Sequence, residues 1–238
     1  MSQAGNHQDG RLVETTPMRA AIGRRMSLSK KEVPHVYFQT DIVVDAALAQ
    51  LDALNADSDV KVTVSALLSR ATALALREHP AFNAHWTEEG LLELVDVNLA
   101  IAVALDGGLI APAVLKADTL SVVEMARALR DVVVRAREGK LRSQEITGGS
   151  FTLSNLGMFD ITSFYGIITP PQVGILTVGK TSERLKLVVG HVATERVAVV
   201  ALSADHRAVD GADAARFLGT IKRLLEDPEL LEAPAIDS

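Results

Sequence analysis

The sequence predicts a single α/β or α+β domain, and three observations carry that expectation. Strand-like and helix-like segments alternate along the chain, no low-complexity linker divides it, and 238 residues suit one large core. A domain of that size buries roughly three-quarters of its unfolded surface, so it needs no covalent staples.

The elements follow in order. Residues 1–16 lack periodicity and read as a flexible arm ahead of a domain spanning 17–231. Pro17 stands where a helix begins, and Met18, Ile22 and Met26 recur at helical spacing. The basic residues Arg19, Arg24, Arg25, Lys30 and Lys31 on that helix suit a solvated face or an intersubunit contact. HVYFQTDIVV (35–44) is β-rich, and Asp45 is the expected N-cap of AALAQLDAL. Residues 62–77 are apolar on most faces and predict a buried helix. FNAHWTEEGLLEL reads as loop and hairpin. VNLAIAVAL (97–105) and LIAPAVL (109–115) predict two strands around the turn Asp106-Gly107-Gly108. Ser121 and Glu124 form a capping box for an amphipathic helix running to Gly139. SFTLSN (150–155), VGILTVG (173–179) and RVAVVALSA (196–204) are strand-like, a last helix covers Gly211 to Glu226, and 232–238 form a tail.

Composition excludes several chemistries. There is no cysteine, so disulfides, thiolate nucleophiles and cysteine-ligated metals are ruled out together. A formal net charge of −6 opposes nucleic-acid binding. No segment approaches the ~20 apolar residues of a membrane span, and Met1 to Gly10 lacks the apolar core of a signal peptide, so a cytoplasmic protein is expected. The six histidines show no metal-ligand spacing, and no metal site is expected. Neither a phosphate-binding Gly-x-x-x-x-Gly-Lys loop nor a Gly-x-Ser-x-Gly elbow is present.

Two segments can carry chemistry. In ALSADHRAVDG (201–211) a buried strand ends in a polar cluster, which holds His206 at a sheet rim as a candidate base. Asp210 lies four residues on. The same spacing also suits a plain helix cap, with Asp213 completing a capping box and His206 a turn residue. In SFTLSNLG (150–157), Ser154 and Asn155 offer donors before a glycine turn, as an ordinary strand-to-turn transition also would.

Taken together, the segments TPMRAAIGRRMSLSKKEVPHVYFQTDIVVD (16–45), DGGLIAPAVLKADTLSVVEMA (106–126), GGSFTLSNLGMF (148–159), ITPPQVGILTVG (168–179) and SADHRAVDGADAARFL (203–218) resemble the catalytic domain of the dihydrolipoamide acyltransferases. That family is related in fold to chloramphenicol acetyltransferase. The resemblance implies a mixed sheet flanked by helices, in a homotrimer whose active sites lie between subunits. His206 would face Ser154 of a neighbour, with coenzyme A and the acceptor entering a channel from opposite ends. It implies coenzyme contacts at Ser65, Asp106, Ser154, Asn155, Gly179 and Thr181. The chain departs from the family where an arginine follows a Leu-x-x-Leu run: Asp52 stands here, and Lys61 or Lys180 is the expected substitute.

The mechanism so implied has His206 deprotonating a thiol or hydroxyl as it attacks a thioester, and Ser154 donating to the oxyanion. Asp210 is expected to hold the loop by pairing with Arg24 or Arg25. Two functions fit this chemistry. One is a free-standing enzyme acetylating a hydroxyl of a small or carrier-bound metabolite from acetyl-CoA, as in polyketide or tetronate pathways. The alternative is the core of a 2-oxoacid dehydrogenase complex, exchanging acyl groups between coenzyme A and a lipoyl domain in trans. The 16 polar residues ahead of the domain leave no room for covalently bound lipoate, and the tail EDPELLEAPAIDS is polar; these two features favour the first.

Overall fold

The computed structural model describes residues 11, 13–105 and 107–232. Its helices are α1 (Pro17–Glu32), α2 (Asp45–Asp57), α3 (Val64–Glu78), α4 (Val122–Arg137), α5 (Ser143–Thr147) and α6 (Gly211–Glu226). Its strands are β1 (His35–Val43), β2 (Ala84–Thr87), β3 (Gly90–Glu93), β4 (Leu99–Ile101), β5 (Val103–Leu105), β6 (Gly108–Ile110), β7 (Ala113–Val114), β8 (Phe151–Asn155), β9 (Gly174–Val188) and β10 (His191–Asp205).

Six strands form the main sheet in the order β1-β10-β9-β8-β4-β7. It is mixed: β8 runs parallel to β4 and β9, while β10 runs antiparallel to both β1 and β9, and β7 antiparallel to β4. The period-2 alternation sends Phe151 and Leu153, Leu176 and Val178, and Val200, Leu202 and Ala204 to one face. There they meet Leu67, Ala71, Met125, Phe217 and Ile221 of α3, α4 and α6 in one continuous core. The opposite face carries Thr152, Thr177 and Ser203, crossed by the segment from Leu156 to Gln172. There Ser29 of α1 donates to Ile168 O at 2.6 Å, and Thr177 donates to Phe164 O.

Local chemistry explains the helix ends. Thr16 caps α1 by accepting from Arg19 N at 3.2 Å, with Pro17 supplying the fixed φ of the first turn. Ser121 and Glu124 form the expected capping box of α4, and Gly139 beyond it has φ +69°. α3 is buried on nearly every face; its Arg70 guanidinium donates to Leu231 O and Asp118 O. No helix among the described residues is long and apolar enough to cross a membrane.

Four expectations are corrected. Asp45 does not cap α2: Val44 occupies that position, and the Asp45 carboxylate instead accepts from Arg196 N and Nε at 2.9 and 2.7 Å. The segments 97–105 and 109–115 are each broken in two, because Ala102 N turns to Leu153 O and Pro112 has no N–H to extend a ladder. β4 and β7 stay in the main sheet while β5 and β6 form a separate hairpin. β9 and β10 run on as a ribbon past the core; its polar pattern hid it in the sequence, and Arg184 and Lys186 clamp it to Glu195 across the strands. The short helix α5 was also missed. The expected arm at 1–16 and tail at 232–238 fall largely on residues 1–10 and 233–238, which lie outside the described residues.

Candidate active site

The first half of the site is built where β8 ends. Alternation along β8 buries Leu153 and turns Thr152 and Ser154 to the opposite face. Asn155 follows and fastens the corner: its Nδ2 donates to Ser65 Oγ at 3.1 Å, and its Oδ1 accepts from Gly157 N at 2.7 Å. Ser65 lies in the first turn of α3, just after the Thr63 cap, so the helix N-terminus points at this corner.

Two adjoining cavities flank it. One, of about 410 Å³, is lined by Ser65, Asn155, Gly179 and Thr181. The other, of about 530 Å³, lies between α3, α4 and β8 and is bordered by Lys61, Ser65, Ser69, Ser154 and Asn155. Four of the residues assigned to the coenzyme therefore converge on one hollow, and Ser154 borders the next. Gly179 has a steric reason to be glycine, since a Cβ there would stand 2.0 Å from Thr162 O. Asp106 lies outside the described residues. Asp52 is exposed on α2. Of its two expected substitutes, Lys180 is committed to Asp160, whereas Lys61 borders the larger cavity.

The second half sits at the end of β10. His206 follows the strand's last residue, is exposed, and is held through its backbone, its N–H donating to Pro34 O at 3.0 Å. Its neighbours fix the loop. Asp205, 1% exposed, is gripped by the Arg207 guanidinium at 2.6 Å, which lies 4.8 Å over the ring of Trp86. Sequence reasoning passed over this clamp; the only hint was an Asp and an Arg on either side of the histidine. It also passed over His35, paired with Asp205 in the β1/β10 register. His35 Nε2 accepts from Ile168 N, which leaves Nδ1–H to donate to Val33 O, and burial holds its pKa below the ordinary value.

Asp210 departs from expectation. Its carboxylate caps α6, accepting from Ala212 N and Asp213 N at 2.7 and 2.9 Å, while Asp213 returns the favour to Asp210 N. Those backbone bonds lower its pKa. Arg25 donates to Pro170 O instead, and Arg24 forms no ion pair among the described residues. The orphan N–H groups of the helix are nearer, so they win the carboxylate.

The two halves do not meet within one chain. Ser154 is opposite Thr177 on β9, and Thr177 is opposite Ala201 on β10. β10 then runs away from Ser154 through Ser203 to Asp205 before His206 follows. At ~3.3 Å per residue and ~4.8 Å per strand, the two side chains stand on the order of 15–20 Å apart.

This six-stranded mixed sheet with helices packed on it is the chloramphenicol-acetyltransferase-like architecture: a chloramphenicol acetyltransferase superposes with TM-score 0.53 at 13% identity, covering 88% of this chain and 94% of that one. The chain belongs to the family of 2-oxoacid dehydrogenases acyltransferase (catalytic domain), whose pattern matches residues 7–233. It is 37% identical over 219 residues to the dihydrolipoyllysine-residue acetyltransferase component of the pyruvate dehydrogenase complex of Zymomonas mobilis, covering 91% of this chain and 50% of that protein. The chain thus spans about half the length of the curated relatives it matches. It also superposes on Azotobacter vinelandii dihydrolipoamide acetyltransferase with TM-score 0.89 at 28% identity, covering 97% of each chain. That enzyme was investigated for the role of a serine, a histidine and an asparagine in its catalytic mechanism.

These relatives overturn the expectation of a free-standing enzyme acetylating a hydroxyl on a metabolite or carrier. That expectation rested on the polar ends of the chain, which say nothing about the chemistry of the cavities. The alternative, a dehydrogenase-complex core, is the one the relatives support.

Proposed function

We propose that this chain is the catalytic core of a 2-oxoacid dehydrogenase complex and exchanges an acyl group, acetyl foremost, between a lipoyl thiol and coenzyme A. The observation that carries the proposal is the separation of Ser154 and His206 to opposite ends of one sheet within a family that performs acyl transfer. A base and an oxyanion donor so far apart work together only across an interface, which a cyclic trimer supplies three times. The serine, histidine and asparagine investigated in the Azotobacter enzyme have the same spacing along the chain as Ser154, His206 and Asp210. That likeness supports catalytic roles for Ser154 and His206, while the structural role of Asp210 rests on its cap of α6.

A thiol is a poor nucleophile while protonated. His206 accepts its proton as the sulfur attacks the thioester carbonyl, and the carbonyl π electrons move onto oxygen. The Ser154 hydroxyl of the neighbouring subunit donates to that oxyanion, an interaction worth roughly 3 kcal/mol. As the C–S bond to the departing thiolate breaks, the imidazolium returns the proton to it. No covalent acyl-enzyme intervenes, and the lipoyl group arrives on a domain outside these residues.

The test is a thiol-exchange assay with acetyl-CoA as donor, comparing a purified lipoyl domain, free dihydrolipoamide and simple alcohols. Lipoyl thiols are expected to outpace every alcohol by orders of magnitude. Alcohols reacting as fast as lipoyl thiols would defeat the proposal.

A further inference from the structure

A buried amide outside the acyl-transfer chemistry joins the segment before β9 to the start of β8. The Gln172 side chain is 7% exposed; its Nε2 donates to Gly149 O at 3.0 Å, and its Oε1 accepts from the Thr152 hydroxyl at 2.5 Å. A carbonyl can only accept, so the amide has one orientation and the threonine must be its donor. The approach also needs a glycine, since a Cβ at Gly149 would stand 2.9 Å from Gln172 Nε2. A buried polar network with its members paired in this way is rigid.

The same network gathers the β2–β3 hairpin. His85 Nε2–H donates to the same Gly149 O at 3.1 Å, His85 pairs with Gln172 in an antiparallel bridge, and Trp86 N donates to Pro171 O at 2.8 Å. Trp86 is the face on which the Arg207 guanidinium rests, and Arg207 grips Asp205 beside His206. The two sides of the network differ in stiffness. β8 is paired along both edges, to β4 and to β9, so it has no room to yield. β2 and β3 have four residues each and form a sheet of their own, and a lone two-stranded hairpin is marginal without outside support. An amide anchored on β8 therefore steadies the hairpin, and the strand does not depend on it.

We infer that Gln172 is a positioning residue for His206. By fastening Pro171, His85 and Trp86 to β8, it holds the platform against which Arg207 and Asp205 orient the histidine. The inference rests on the proposed function, in which His206 is the base. It assigns the amide to the His206 half of the site, although its own hydrogen bonds end on the strand that carries Ser154.

The experiment compares wild type with Gln172→Met and with Thr152→Val/Gln172→Met. The single variant leaves the Thr152 hydroxyl unpaired, which costs stability; the double variant removes that orphan as well, so its denaturant midpoint should return toward wild type while the link to Gly149 stays broken. Its kcat should still be about tenfold lower, with the KM for coenzyme A unchanged, because a displaced base weakens only the transition state. Trp86 is the sole tryptophan of the chain, so its emission should shift to the red and quench more readily with acrylamide. In hybrid trimers verified by mass spectrometry, the double variant should be rescued by Ser154→Ala chains, which bring an intact His206 half, and not by His206→Ala chains. A double variant that does not fold, or folds with wild-type kcat, overturns the inference. So does a slow variant whose Trp86 emission is unchanged, or one rescued by His206→Ala chains. If Ser154→Ala and His206→Ala chains fail to rescue each other in verified hybrids, the intersubunit site of the proposed function fails instead.

Discussion

Ser154 and His206 stand at opposite ends of the same sheet, because β10 runs antiparallel to the strand that β8 parallels. The register makes them unable to touch within a chain, whatever their rotamers. On the proposed function, each chain then contributes one half to each of two different sites.

That geometry predicts complementation. His206→Ala and Ser154→Ala should each fold, and each alone should lose about 10²-fold or more in kcat. Co-refolded in equal amounts, they should recover about a quarter of wild-type activity, the share of interfaces in a mixed cyclic trimer that receive both intact residues. No recovery from a mixture shown by mass spectrometry to contain hybrid trimers would place both residues in a single-chain site.

Gly179→Ala should be poorly tolerated. The added methyl would meet Thr162 O at 2.0 Å, and Lys180 N is already bonded to Ile161 O, so the segment cannot retreat freely. A loss of roughly 1–3 kcal/mol is expected from overpacking, read as a lower denaturant midpoint. An unchanged midpoint with weakened coenzyme binding would make Gly179 a ligand contact alone.

The elements legible in the sequence were those whose pattern is set by local chemistry. Thr16-Pro17 and Ser121/Glu124 announced α1 and α4 because their caps are made within three residues. The strand ending at His206 was legible because it is buried. The errors came where a distant partner decided the outcome. Asp45 was drawn from its cap by Arg196, and the ribbon beyond Thr181 is held by cross-strand ion pairs instead of a core. The opposite failure occurred at Asp210: a long-range arginine was expected, and the adjacent helix N-terminus took the carboxylate. His206 and Ser154 could be named from the sequence, but their separation follows only from the register of three strands.

Acid should expose the contribution of Glu145. This carboxylate is 5% exposed, is gripped by Arg135, and accepts from Arg142 N at 2.7 Å. The Arg135 hydrogen bonds, joined by that backbone N–H, lower its pKa from 4.5 to about 2. The folded value lies below the unfolded one, so the stabilisation is fully present above about pH 4.5 and fades as pH falls toward 2. Wild type should therefore exceed Glu145→Gln in unfolding free energy at pH 7, with the gap narrowing through that window. A gap that is unchanged from pH 7 to pH 2.5 would assign the loss to packing.

The clamp beside His206 should be a matter of catalysis more than of binding. Among the described residues no hydrogen bond reaches the imidazole, so its position depends on the backbone between Asp205 and Arg207. Arg207 holds both oxygens of a buried Asp205 through Nε and Nη2, and its flat guanidinium rests on Trp86. Lysine keeps the charge but can neither fork across a carboxylate nor stack as a plane. Arg207→Lys should therefore lower kcat by about tenfold or more with little change in the KM for coenzyme A, since a displaced base weakens the transition state while leaving the cavities at the far end of the sheet intact. Trp86→Ala should do the same more mildly, and Trp86→Phe, which keeps a face for the guanidinium, should restore most of the rate. If Trp86→Phe is as slow as Trp86→Ala, or if KM rises in step with the fall in kcat, the clamp holds the fold and not the histidine.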